Sequence, residues 1–301
     1  MLKRLAMLAG MVGTLGICTA RASTPCTAGS FADDNGTTTC NKAAEACQAK
    51  IGGLVAKAVG AVIKCHGKQA AAAFSTANNK PKSFDEEACE DAAVNGPKGF
   101  VAAAQAVQAK AAGACDCVQV TTIAGLIKSV LDGSNSLVLC EPGANISDFT
   151  NPPDTDDTGT FDPSDPDGAK AMQKAGTCVA KMVGTWEKCH ASFAQGVLAK
   201  GADTTDPLMT EEACEGDTAI PGICKKGTNK GAPCTVDGDC GTGGVCTNPN
   251  TKSAIAAFNA CLAKVNAKGA LPGCVTANVP QILGLTKTQL DGANGLVWCA
   301  Q

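Results

Sequence analysis

The same short motifs occur twice in this chain, in the same order, and that duplication restricts its folds more than any other feature. Ala56-Lys57, Val59-Gly60 and Lys64-Cys65-His66 recur as Ala180-Lys181, Val183-Gly184 and Lys188-Cys189-His190, at a constant offset of 124. Glu86-Glu87-Ala88-Cys89-Glu90 returns as Glu211-Glu212-Ala213-Cys214-Glu215. Leu131-Asp132-Gly133, Asn135, Leu137-Val138 and Cys140 return as Leu290-Asp291-Gly292, Asn294, Leu296-Val297 and Cys299. Four ordered matches predict two copies of one unit.

The unit reads as helical. Cys47, Ile51, Leu54, Ala58, Val62 and Cys65 form one stripe of a helix, as do Cys178, Met182, Trp186, Cys189 and Phe193. Lys50, Lys57 and Lys64, matched by Lys174, Lys181 and Lys188, fall on another stripe and read as a solvated face. Ser83-Phe84-Asp85-Glu86 is a capping-box pattern, and Asp206-Pro207 offers the equivalent start in the second copy. Gly99 to Ala112 and Lys252 to Lys268 are Ala-rich helical segments, and Asp132-Gly133 and Asp291-Gly292 predict left-handed helix ends. The expected fold class is therefore all-α: two tandem repeats, 41–140 and 168–301, each a disulfide-linked bundle of about four helices. Residues 217–250 interrupt the second repeat as a small Cys-rich loop insert. Residues 141–167, with Pro152-Pro153, Pro163 and Pro166 among aspartates, read as an extended acidic linker open to proteolysis between two separable bundles.

The first 22 residues have the layout of a secretory signal: Lys3 and Arg4, an apolar run from Leu5 to Thr19, and a cleavage site at Ala20-Arg21-Ala22. Cleavage there leaves a short N-terminal segment, 23–40, and no membrane span. It also removes Cys18 from 19 cysteines, leaving an even number to pair. With only two histidines and no C-x2-C, the cysteines read as a disulfide framework in the periplasm or extracellular space, not as zinc ligands.

Helix geometry limits the pairing. Cys47 cannot reach Cys65, because 18 helical residues span about 27 Å against a Cα limit of about 7 Å. Relative to the shared motifs, Cys47 and Cys115 are displaced in opposite directions by about two turns against Cys178 and Cys261, which keeps partners face to face on antiparallel helices. Cys47–Cys115 and Cys178–Cys261 follow. The remainder pair most simply as Cys65–Cys89, Cys117–Cys140, Cys189–Cys214, Cys274–Cys299 and Cys26–Cys40. The insert closes on itself, with Cys224–Cys240 and Cys234–Cys246 preferred among three connectivities.

Few residues suggest chemistry. His66 and His190 hold the same repeat position, but no second ligand stands at i+3 or i+4, so they read as residues beside a structural cysteine. The adjacent glutamates at 86–87 and 211–212 favour a helix start electrostatically, and as neighbours they face different sides. G-x-S-x-G, H-E-x-x-H and phosphate-loop motifs are all missing. Every Arg lies in the first 21 residues; without the signal, 22 basic groups face 28 acidic ones, which argues against nucleic-acid binding. Residues 154–165 resemble an EF-hand calcium loop, with Asp154, Asp156, Thr158, Asp162 and Asp165 as oxygen ligands and Gly159 at the turn. They depart from it in the terminal Asp and in Pro163. Asp237 and Asp239 read as turn residues of the insert.

The insert is similar to the short two-disulfide Cys-rich modules of many secreted proteins. The whole chain resembles Ala- and Cys-rich secreted proteins of environmental bacteria, a resemblance that implies no activity. Cys115-Asp116-Cys117 is similar to the C-x-C step of plant lipid-transfer proteins, whose adjacent Cys-Cys pair is absent here. The expected function is that of a secreted, non-enzymatic structural or interaction protein with a protein or surface partner and no cofactor. The alternatives are a carrier of small apolar ligands in a helical cavity and a calcium-dependent adhesion module.

Overall fold

The computed structural model describes residues 31, 35–80, 82–145, 157–200, 211–216, 222–247, 253–269 and 271–299. The signal segment 1–22, Cys26 and Asp206-Pro207 lie outside them. The described chain is mostly helical.

Two long helices form the centre: α1 (Lys42–Ala77) and α5 (Pro166–Lys200). Three shorter helices follow α1, namely α2 (Glu86–Val94), α3 (Phe100–Lys110) and α4 (Val120–Ser134). After α5 come α6 (Glu211–Glu215), α7 (Ala254–Asn266) and α8 (Gly273–Ala293). Helices α4 and α8 each run into a single 3₁₀ turn, Asn135–Leu137 and Asn294–Leu296.

Small residues let α1 and α5 approach, and they do so reciprocally. A Cβ on Gly60 would stand 3.8 Å from that of Ala180, and one on Gly184 would stand 4.0 Å from that of Ala56. Gly60 and Gly184 hold matching repeat positions, as do Ala56 and Ala180, so the antiparallel crossing is nearly self-complementary. Apolar packing continues on both sides. Ile51, Val59, Val62, Phe100, Ile123 and Ile127 belong to one core. Met172, Met182, Trp186, Phe258, Val275 and Ile282 belong to the other. Among the described residues α1 is long and apolar enough to cross a membrane, but α2, α3, α4 and α5 pack on its apolar faces.

Several expectations need correction. The helix start near 84 is capped by Asp85, whose carboxylate accepts from Ala88 N, and not by Ser83. Gly133 and Gly292 do not end helices; both lie inside α4 and α8, and neither has a positive φ. Part of the 141–167 segment is folded: β1 (Ala144–Asn145) pairs antiparallel with β2 (Thr160–Phe161), and Phe161 is fully buried in the second core.

The largest correction concerns disulfides. Cys47–Cys115, Cys65–Cys89, Cys178–Cys261 and Cys189–Cys214 are formed, as are Cys224–Cys240 and Cys234–Cys246. Cys40 is also disulfide-bonded. Cys117–Cys140 and Cys274–Cys299 are not formed; Cys117 bonds Cys299 and Cys140 bonds Cys274. The helix-length rule explains this. Helix α4, of 15 residues, separates Cys117 from Cys140 by more than about 20 Å, and the 21 residues of α8 separate Cys274 from Cys299 by about 30 Å. The end of each half docks instead on the start of the other half's last helix, where Gln119 N donates to Leu296 O at 3.0 Å. The two halves are covalently joined and do not separate as free bundles.

The insert is a three-stranded sheet in the order β4-β3-β5, built from Pro233–Cys234, Gly222–Lys226 and Val245–Thr247. Asp237 accepts from Cys246 N, and Asp239 from Thr235 N and Val236 N, so both aspartates organise its turns.

Candidate metal centres

Glu86 and Glu90 lie one turn apart on α2, so both face α1, and Glu87, which reaches Lys128, also offers a carboxylate oxygen within 4.8 Å of theirs. The Cys65–Cys89 disulfide joins the residue before His66 to the residue before Glu90, and thereby fixes α2 against α1 at the imidazole. Asp132, in the last turn of α4, and Asp157, just ahead of β2, arrive from two further directions. The outcome is a buried cluster around His66 Nε2. Oxygens of Glu86, Glu90, Asp132 and Asp157 stand 3.3, 2.7, 3.4 and 3.3 Å from it. The His66 side chain is 5% exposed and none of the four carboxylates exceeds 4%.

The second half repeats the arrangement. Glu211 and Glu215 on α6 and Asp291 on α8 place oxygens 2.7, 3.1 and 3.7 Å from His190 Nε2. Cys189–Cys214 again joins the residue before His190 to the one before Glu215. The adjacent glutamates are matched too: Glu87 pairs with Lys128, and Glu212 with Lys287 at 3.5 Å. Trp186 Nε1 donates to Asp291 Oδ1 at 2.7 Å within the core.

Electrostatics sets the chemistry. One N–H can satisfy one acceptor, yet four carboxylate oxygens converge on His66 Nε2, which makes no aligned hydrogen bond with any of them. Burial pushes His66 down, but Asp132, Glu90 and Asp157 outweigh it and raise its pKa to about 10. Burial also pushes Glu90 up, and His66 and Glu86 hold it below the usual carboxylate range. Asp132 is raised, by burial first and then by the Glu90 charge. Partial burial disfavours the Lys128 ammonium, while Glu87, Glu90 and Asp132 hold its pKa above the ordinary lysine range. One imidazolium beside four buried carboxylates leaves like charge out of water, which is relieved by proton uptake, the direction in which Asp132 is shifted, or by a bound cation. His66 with Glu86 and Asp157, His66 with Glu90 and Asp132, and His190 with Glu211 and Glu215 each present ligand atoms within 4.8 Å of one another.

No family model, curated protein or solved structure matches this chain. The chemistry therefore rests on the clusters themselves.

Of the residues expected to bind calcium, Asp154 and Asp156 lie outside the described residues. The other three are occupied separately, which argues against an EF-hand. Thr158 Oγ1 donates to Asp132 O at 3.2 Å, Asp162 accepts from Ser164 N at 2.8 Å, and Asp165 accepts from Gly168 N at 3.1 Å at the start of α5. The residue that reaches a cluster is Asp157, a position the calcium pattern skips. Sequence reasoning also undervalued His66, His190, Glu90, Glu215, Asp132 and Asp291. It sought a second ligand on the histidine's own helix and tested neighbouring glutamates, not the pair at i and i+4. The usable signal was that all of these lie in motifs present in both halves.

A second feature adjoins the first cluster. An apolar cavity of about 160 Å³ lies among α1, α4, α5 and α8, lined by Val59, Ile63, Ile127, Leu131, Val183 and Ile282, and it reaches His66.

Proposed function

We propose that this chain is an exported, disulfide-cross-linked, non-enzymatic protein of two tandem helical repeats, each of which binds one divalent metal ion. The observation that carries the reading is the twin convergence of one imidazole and several buried carboxylates at matching positions, each clamped by its own disulfide. Burial of the donors and their fixation to the two central helices support a role in which the ions complete the fold and rigidify it for a surface or protein partner. The test is elemental analysis of the oxidised, exported protein after chelation and reloading with Mn2+. About two ions per chain are expected; a chain that retains none overturns the reading.

The cavity favours a second reading, a carrier of small apolar molecules. Dry apolar cavities of about 150 Å³ bind benzene-sized ligands, and this one is of that order at about 160 Å³. Displacement of a fluorescent apolar probe by simple aromatics, lost in Ile63→Trp, would support it. Equal probe binding by that variant would remove it.

A further inference from the structure

Resting on the reading of the apolar cavity as a ligand site, we infer that its occupant is a small amphiphile: an apolar body with one hydrogen-bond-donating head, an alcohol or a primary amine, held at Glu187. Both copies of the repeat line the cavity. Val59 borders it with its counterpart Val183, and Leu131 with its counterpart Leu290. Close approaches follow the same approximate two-fold relation. A Cβ on Gly176 would stand 3.2 Å from Ile63 Cγ2 and 3.9 Å from Val138 Cγ1. One on its counterpart Gly52 would stand 2.9 Å from Glu187 Oε2 and 3.9 Å from Val297 Cγ1. Ile63 matches Glu187 and Val138 matches Val297, so the two ends correspond and differ in their side chains. Gly52 and Ile63 are about 16 Å apart along α1 at the usual helical rise, so the ends suit the head and tail of a short linear molecule.

The difference has a direction. Ile63, Ile127 and Val130 line the first half's side, and the matching positions that line the second are Glu187, Thr286 and Gln289. One pair differs the other way, Ser134 against Ala293. A few polar groups at one end of an apolar cavity orient a ligand and select its head. Glu187 and Thr286 are both buried. Thr286 Oγ1 spends its proton on Ile282 O at 2.8 Å, so toward the cavity it can only accept. A carboxylate accepts at about four sites, which leaves room for a ligand beside its protein partners. A head that both residues can hold must therefore donate. An acidic head meets like charge at Glu187, and again on the other side, where the cavity reaches His66 and its ring of carboxylates.

The experiment titrates the full-length oxidised protein with 1-hexanol, hexylamine, hexanoate and toluene, read by ligand-observed NMR. Chelator is present throughout, so that no bound ion can anchor an acid. Hexanol or hexylamine should bind at least about tenfold tighter than hexanoate, with the amine ahead where Glu187 is ionised and the alcohol ahead where it is neutral. Glu187→Ile, which copies the first half, should keep toluene and abolish that preference. Thr286→Val, of the same shape, should weaken hexanol by about threefold or more, and it carries the test should the first variant not fold. Hexanoate bound as tightly as the others, or a preference that either variant leaves intact, would overturn the assignment and leave the cavity reading standing. Failure of all four molecules to bind, toluene included, would instead sink the reading on which it rests.

Discussion

The His66 and His190 clusters use matching ligands but different supports. Asp291 receives a hydrogen bond from Trp186, whereas the residue matching Trp186 in the first half is Val62, which has no donor. Asp132 instead lies beside Asp157 and the following Thr158, which holds its backbone carbonyl. The segments that lie on the two ends are exchanged between halves. Residues 157–165 lead into α5 yet lie on the end of the first half, where Thr160 N donates to Leu139 O at 2.7 Å and Ser136 N to Thr158 Oγ1 at 3.3 Å. Residues 35–41 lead into α1 yet lie on the end of the second, where Thr37 N donates to Trp298 O at 2.8 Å and Gly295 N to Asn35 Oδ1 at 2.6 Å. The cross-linked pairs Cys117–Cys299 and Cys140–Cys274 follow the same exchange. The two clusters therefore present the same residue types in different surroundings.

The largest expected effect is loss of an ion. His66→Ala and His190→Ala should each lower bound Mn2+ from about two ions per chain to about one, and the double variant should bind none. Elemental analysis checks this, and a single variant that loses both ions would show that the sites are not independent.

Next comes pH. In the metal-free protein His66 titrates at about 10, against roughly 6.5 for an unperturbed histidine. A pKa raised by folding stabilises the fold fully below about pH 6.5, and that contribution disappears as pH rises through about 10. Thermal melts of chelated protein from pH 6 to 10.5 should therefore fall, and His66→Gln should flatten the curve. An unchanged slope in that variant would assign the loss to other groups.

The exchanged segments predict a subtler difference. Asp33-Asp34-Asn35-Gly36-Thr37 runs parallel to Asp156-Asp157-Thr158-Gly159-Thr160 in the sequence. That register nominates Asp34, which lies outside the described residues, as the counterpart of Asp157. Asp157→Asn should weaken only the His66 site and Asp34→Asn only the His190 site, each by about 10–100-fold in Mn2+ titrations. If Asp34→Asn left both sites unchanged, the parallel would stop at the backbone.

The smallest effect tests the asymmetric support. Trp186→Phe should cost about 1–3 kcal/mol in urea unfolding of the metal-free protein, because Asp291 loses a buried donor. Ion binding at the His66 site should not change.

Much of the fold was open to inference before any coordinates. Helix period, the cap region near 85 and the compensated shift linking Cys47 to Cys115 and Cys178 to Cys261 all depend on local geometry, which amino-acid spacing encodes directly. The structure joins those same cysteines. The clusters were legible only as repeated motifs of unassigned purpose. His66, Glu86, Asp132 and Asp157 come from three helices and the irregular segment ahead of β2, and no spacing rule for one helix brings them together. The Cys117–Cys299 and Cys140–Cys274 bonds were hidden for a related reason. A repeat pattern describes each copy alone, and cannot say whether the copies close on themselves or on each other. Here closure on each other prevails, because α4 and α8 are too long to bring their own flanking cysteines together, while the antiparallel α1–α5 crossing sets the end of each half against the other.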